Sequence, residues 1–148
     1  MSLISRSALV PYSTEEMYKL VADIEDYPKF LPWCRSTQVM SRNEQEVKAS
    51  IEIARGALNK SFTTLNHMQL NKVIEMQLVQ GPFKHLQGFW RFDELKIHAA
   101  CKITFDLDFE FESKLLAMVA GPVFNQIANS MVEAFIKRAV EVYGERSI

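Results

Sequence analysis

Cys101-Lys102-Ile103-Thr104-Phe105-Asp106-Leu107-Asp108-Phe109-Glu110-Phe111-Glu112 alternates apolar and polar without a break. Cys101, Ile103, Phe105, Leu107, Phe109 and Phe111 fall on one side, and Lys102, Thr104, Asp106, Asp108, Glu110 and Glu112 on the other. Successive side chains of a strand point to opposite faces, so this segment predicts an antiparallel strand with one dry and one wet side. At about a dozen residues it exceeds the usual roughly five or six. Strands that long belong to strongly twisted or curled sheets, and Gly88 in a neighbouring strand is placed to relieve the bend.

Toward the N-terminus the period of two persists. Leu86, Gly88, Trp90 and Phe92 share a face, after a Gly81-Pro82 turn. Ile74, Met76 and Leu78 alternate with Val73, Glu75 and Gln77; Leu58 to His67 follows Gly56; Val47, Ala49, Ile51 and Ile53 alternate with Lys48, Ser50 and Glu52. Leu3 to Val10 adds a first strand ending at Pro11, the sixth segment read in this way, and the sheet is expected to hold about seven strands. Ser13 or Thr14 offers a helix N-cap, Glu15 and Glu16 suit its first turn, and Met17, Leu20, Val21 and Ile24 predict a helix over 14–24. Pro28 and Pro32 break anything longer, leaving Tyr27 to Cys34 as an aromatic-rich turn. Past the long strand the period becomes helical: Phe124, Ile127, Ala128, Met131, Ala134, Phe135, Arg138 and Val142 form one stripe between Gly121-Pro122 and Gly144. One sheet and one long amphipathic helix predict an α+β fold, a curved antiparallel sheet with the C-terminal helix across its concave face, as a single domain over residues 1–148.

The chain has 148 residues, 48% hydrophobic and 24% charged, which is ordinary globular composition for one domain. Lys and Arg (17) nearly balance Asp and Glu (18), so no global charge drives it to DNA or to an anionic membrane. The longest apolar run, Leu115 to Phe124, falls short of the roughly 20 residues of a membrane span. Met1 to Val10 does not read as a signal or transit peptide. Cys34 and Cys101 lie too far apart for a metal-ligand motif and read as free thiols in a reducing, bacterial cytoplasm.

No phosphate loop, zinc-protease motif or nucleophile elbow is present. His67, His85 and His98 sit in or beside separate strands without metal-ligand spacing and read as surface or strand-end residues. Cys34 has only Arg35 nearby to lower its pKa and reads as a small semi-buried residue. Strand alternation accounts for the acidic row from Asp106 to Glu112 as a solvated face. No catalytic residue, metal site or required cofactor is assigned. What stands out is ten Phe, two Trp, four Tyr and seven Met. Tyr27, Phe30, Leu31 and Trp33 crowd a turn that would ordinarily be polar, and such a cluster covers a sheet end or a cavity mouth.

Several segments carry a family resemblance across nearly the whole chain. They are Val10-Pro11-Tyr12-Ser13, Leu20-Val21-Ala22-Asp23, Tyr27-Pro28-Lys29-Phe30-Leu31-Pro32-Trp33-Cys34 and Phe62-Thr63-Thr64, then Gly81-Pro82-Phe83-Lys84 with Leu86-Gln87-Gly88-Phe89-Trp90-Arg91-Phe92. Ala100-Cys101-Lys102, Phe109-Glu110-Phe111, Gly121-Pro122-Val123-Phe124, Phe135 and Val142-Tyr143-Gly144 complete the set. In this order they resemble the coenzyme Q-binding and ribosome-association-toxin branch of the START-like, polyketide-cyclase-like superfamily. The resemblance implies a helix-grip (START/Bet v 1-like) fold around a tunnel. It also implies non-enzymatic binding of a hydrophobic small molecule, ubiquinone or another isoprenoid lipid, in support of respiration. The alternative it implies is a toxin that binds the large ribosomal subunit and blocks subunit joining. One departure is Arg55, where the family often carries Phe.

For the ligand reading, the expected contacts are Tyr27, Phe30, Leu31 and Trp33 at the entrance, with Phe62, Phe83, Leu86, Trp90, Phe105 and Phe109 on the sheet. Phe124, Ile127, Met131 and Phe135 of the C-terminal helix face them, and a quinone ligand would also bring peripheral contact with the inner face of the membrane. For the ribosome reading, Arg35, Arg42, Lys84, Arg91, Lys137 and Arg138 are the residues to meet RNA phosphates.

Overall fold

The computed structural model describes residues 2–96 and 99–147; His98 lies outside the described residues. Strand β1 (Ser2–Val10) leads to helix α1 (Thr14–Ala22), a 3-10 turn (Ile24–Asp26) and the single-turn helix α2 (Tyr27–Phe30). Then come β2 (Cys34–Arg42), β3 (Glu46–Arg55), β4 (Leu58–Gln69), β5 (Val73–Gln80), β6 (Phe83–Glu94) and β7 (Cys101–Phe111), and last α3 (Lys114–Tyr143). The seven strands form one antiparallel sheet in the order β1-β7-β6-β5-β4-β3-β2. Consecutive strands β2 to β7 therefore meander across the sheet, and α1 and α2 carry the chain from one edge strand to the other. Helix α3 crosses the concave face.

The expected α+β helix-grip architecture is what the chain adopts. Along β7, the odd-numbered residues are buried and the even-numbered ones are exposed or half-buried. Register shifts in the β2–β3, β4–β5 and β6–β7 pairings mark bulges, which bend and twist a sheet. Gly88 serves close approach rather than backbone freedom: a Cβ there would lie 2.5 Å from the Asp106 carbonyl oxygen on β7.

Helix α1 begins as its sequence predicts, with a reciprocal cap. Glu16 N–H donates to the Ser13 hydroxyl (3.1 Å) and Ser13 N–H to the Glu16 carboxylate (2.9 Å). It ends at Ala22 rather than at residue 24; Ile24 belongs to the 3-10 turn. A larger correction concerns α3, which starts at Lys114, not at Gly121-Pro122. Ser113 caps it by accepting from Leu116 N–H (3.1 Å), and Pro122 lies inside it on the exposed side. There the bond lost to the Met118 carbonyl falls in an exposed turn that water can serve. The buried stripe is Phe124, Ile127, Ala128, Val132, Phe135 and Ala139, whereas Val142 is exposed. At full length α3 is long and apolar enough to cross a membrane, with a mean hydropathy of 1.3 over its best window. In the fold, its buried stripe is what covers the sheet.

The end of the chain is tied to its beginning. Tyr12 donates its hydroxyl proton to the Gly144 carbonyl (2.7 Å) and Tyr143 to the Glu16 carbonyl (2.9 Å). Arg146 forks onto the Glu16 carboxylate (2.8 and 3.0 Å). These contacts fix where the far end of α3 lies against α1.

Candidate functional site

Between α3 and the concave face lies a cavity with about 80 Å³ of free space. Its sheet side is built from Ala49, Ile51 and Ile53 of β3, Phe62, Thr64 and Asn66 of β4, Met76 of β5, and Leu86, Trp90, Phe105 and Leu107 of β6 and β7. Phe124, Ile127, Ala128 and Met131 of α3 form the opposite side, and Ile24, Tyr27 and Trp33 close one end. The period-two alternation of β3, β6 and β7 delivers these side chains inward, and the 3.6 period of α3 delivers its stripe toward them.

Two aromatic clusters bound this space. At one end Phe83 stacks on Phe111 (5.0 Å between centroids) and meets Phe124 (5.2 Å), while Phe109 stands edge-on to Phe124 (4.8 Å). At the other, Phe135 touches Trp90 (5.2 Å), Phe30 (5.4 Å) and Tyr27 (5.6 Å). These ring contacts fill the space between Phe109 and Phe124 and between Trp90 and Phe135. The open space lies between these clusters and extends to β3 and β4. Of the expected contacts, Tyr27, Trp33, Phe62, Leu86, Trp90, Phe105, Phe124, Ile127 and Met131 line the cavity, whereas Phe30, Leu31, Phe83, Phe109 and Phe135 pack around it.

A water needs roughly 10–15 Å³ of such space, so about 80 Å³ holds a handful of waters and not a long chain. A longer occupant requires the wall to widen. Met76 and Met131, unbranched and half-buried, are the side chains best able to yield.

Among the described residues, no Asp, Glu, Lys, Arg or His lines the cavity. The lining group that titrates is Tyr27, whose hydroxyl donates to the Val21 carbonyl and whose pKa is pushed far up by burial. Cys34 and Cys101 are buried, and burial raises their thiols to about 11 and about 12. His67 and His85 are half-exposed and face Glu46 (3.4 Å) and Asp108 (3.1 Å) respectively. Among the described residues, no group of three or more His, Cys, Asp and Glu side chains could hold a metal ion. The site can enclose an apolar molecule, and among the described residues its wall holds no carboxylate, amine, guanidinium or imidazole.

Sequence reasoning missed Thr64 and Asn66, the polar residues in this wall. Their signal was present only as inverted alternation on β4, where polar residues face in and Leu65 faces the other way.

Outside the cavity, Lys29, Phe30, Leu31, Pro32 and Trp33 form a wider depression with Arg55 and with Ser130, Glu133, Ala134, Lys137 and Glu141 of α3. Trp33 borders both spaces and so acts as the partition between them. Arg55 sits here, not in the cavity wall. The other cations are dispersed. Arg35 and Arg42 lie on edge strand β2, with Arg42 forked onto Glu25 (2.8 and 2.9 Å). Lys84 faces Glu110 (3.3 Å), Arg91 lies 4.8 Å from the Phe89 ring, and Arg138 lies 4.9 Å from the Phe30 ring. Of the expected cations, Lys137 lines the depression with Lys29 and Arg55, alongside Glu133 and Glu141, and Lys29 pairs with Asp26 (3.1 Å).

A seven-stranded sheet gripping a long helix over an uncharged cavity defines a START-like protein. The chain belongs to the family described as polyketide cyclase / dehydrase and lipid transport, whose model matches residues 10–136. It is 46% identical over 146 residues to the ribosome association toxin RatA of Escherichia coli, covering 99% of this chain and 92% of that one. It is 29% identical over 147 residues to coenzyme Q-binding protein COQ10 homolog B, mitochondrial, of Xenopus laevis, covering 97% of this chain and 60% of the relative. A START superfamily protein from Mycobacterium smegmatis superposes with a TM-score of 0.71 at 21% identity over 94% of both chains, a likeness of fold.

Proposed function

We propose that this protein binds a hydrophobic small molecule without transforming it, in the space between sheet and α3, and that ubiquinone or a related isoprenoid lipid is the ligand. The observation that carries this reading is the uncharged cavity, with deformable methionines in its wall. Each buried methylene of an isoprenoid tail contributes on the order of 0.8 kcal/mol before ordering costs, so a short inserted length suffices. The reading as a binder rests on a wall without an acid–base pair and on the name of the coenzyme Q-binding relative. Support of respiration, from the cytoplasm or from the inner face of the membrane, is the role such a ligand would serve. Lipid extraction from purified protein followed by mass spectrometry tests it. Recovery of a quinone or isoprenoid lipid is expected; no recovery, together with no binding in titration, overturns it.

A second reading is favoured by the relative that is 46% identical over almost the full chain and named for ribosome association. Under it the protein is cytoplasmic, binds the large ribosomal subunit and hinders subunit joining. Its RNA-facing surface would centre on Lys29, Arg55 and Lys137, which share a groove, rather than on the dispersed Arg35, Arg42, Lys84, Arg91 and Arg138. Overexpression followed by sucrose-gradient profiling decides it: a fall in assembled ribosomes supports it, and an unchanged ratio of assembled to free subunits counts against it.

A further inference from the structure

Two polar side chains interrupt an otherwise apolar wall. Thr64 and Asn66 lie two positions apart on β4, so both project from one face of the strand into the cavity. They are only 6% and 5% exposed. The Thr64 hydroxyl donates to Oδ1 of Asn66 at 2.8 Å, which occupies the threonine proton and leaves both N–H groups of the amide without a protein partner among the described residues. Among the described residues, no side-chain nitrogen or oxygen is both fully enclosed and unpartnered. The Asn66 amide nitrogen therefore borders open space, and the open space beside this pair is the cavity. The register shift between Thr63 and Thr64 in the pairing with β5 falls here too, and bulges re-aim side chains next to sites.

An amide N–H in an apolar wall is unfavourable unless something accepts from it. Water meets that need until a ligand displaces it, and the displacing group must then accept hydrogen bonds in its place. A pure hydrocarbon cannot. An ionised carboxylate or phosphate could accept, but among the described residues no cation lines the cavity to balance its buried charge. What remains is a neutral acceptor on an apolar body.

We infer that Asn66 and Thr64 form a carbonyl-recognition point, with Nδ2 of Asn66 donating to a neutral carbonyl oxygen and Thr64 holding the amide so that it presents its N–H groups. This rests on the ligand-binding reading above and adds to it the chemistry of the ligand's polar end. The pair acts by orientation: it selects which end of the molecule enters.

Three probes test it: decylbenzoquinone, decylbenzene and decanoate, titrated against the wild type, Asn66→Leu and Thr64→Val, with near-UV circular dichroism to check folding. Asn66→Leu should weaken decylbenzoquinone about tenfold or more, from the loss of the hydrogen bond, while decylbenzene binds as well or better. Thr64→Val should weaken the quinone less, in the same direction. The infrared carbonyl stretch of bound decylbenzoquinone should shift to lower frequency in the wild type and lose that shift in Asn66→Leu. If Asn66→Leu does not fold, partial loss of the shift in Thr64→Val serves in its place. Equal weakening of quinone and hydrocarbon, no infrared shift, or tighter binding of decanoate than of decylbenzoquinone at neutral pH would each overturn the recognition point. If none of the probes binds the wild type, the ligand-binding reading itself fails, and this inference with it.

Discussion

Phe135 of α3 stands edge-on to the Trp90 indole of β6, with centroids 5.2 Å apart and planes at 80°. Both side chains are essentially excluded from solvent, and Phe135 also touches Phe30 and Tyr27. One ring therefore joins helix, sheet and the short α2 turn. Phe135→Ala should lower stability by about 3–5 kcal/mol, as for other buried aromatic truncations. Urea unfolding measures it, and a loss below about 1 kcal/mol would mean that α3 is anchored elsewhere.

Gly88 predicts a second sensitive position. A methyl group there would meet the Asp106 carbonyl oxygen at 2.5 Å and a Leu107 methyl at 2.9 Å. The carbonyl belongs to backbone held in the β6–β7 ladder and cannot step aside. Gly88→Ala should destabilise by about 1–3 kcal/mol, read as a lower denaturation midpoint, despite being the smallest possible addition.

The thiols should be silent in the folded protein. Burial raises Cys34 to about 11 and Cys101 to about 12. At pH 8 the reactive thiolate is then a thousandth or less of the population, on the order set by those values. Ellman's reagent should report little reaction in native buffer and both thiols after unfolding in urea. Prompt titration of Cys34 in the native state would contradict this burial.

The Glu16–Arg146 pair predicts a pH-dependent contribution. Hydrogen bonding from Arg146 holds the Glu16 carboxyl below its ordinary 4.5. A depressed carboxylate adds stability that is present above about that value and is lost as pH falls through the folded-state value. Both groups are partly exposed and screened by solvent, so at pH 7 Arg146→Met should lower stability only slightly. The difference from wild type should shrink in melts taken progressively below pH 4.5. A difference independent of pH would assign the effect to the stacking of Arg146 on Tyr12 instead.

Much of the fold was legible because its signals were local. The alternation of β7 and the Ser13–Glu16 cap each carry their answer within a few residues. The start of α3 was not, because Leu115, Leu116, Met118 and Val119 are apolar on several sides of the helix and leave no stripe to count. Pro122 then resembled a first-turn proline, although Ser113 held the cap. For the site, residue type identified an apolar interior but not where it stays open. That depends on which rings meet, as Phe109 with Phe124 and Trp90 with Phe135 do, and such contacts are set only when helix and sheet are docked. Thr64 and Asn66 were hidden for a related reason: an inward polar residue contradicts the pattern by which strands are read.

The uncharged wall of the cavity has one more consequence. An interior without ions gives dissolved salt nothing to screen, so occupancy by a neutral apolar molecule should hold steady, or rise slightly, as potassium chloride is added. A surface that grips RNA through Lys29, Arg55 and Lys137 would release counterions and weaken steeply over the same range. Ionic strength therefore separates what the inside of this protein holds from what its outside touches.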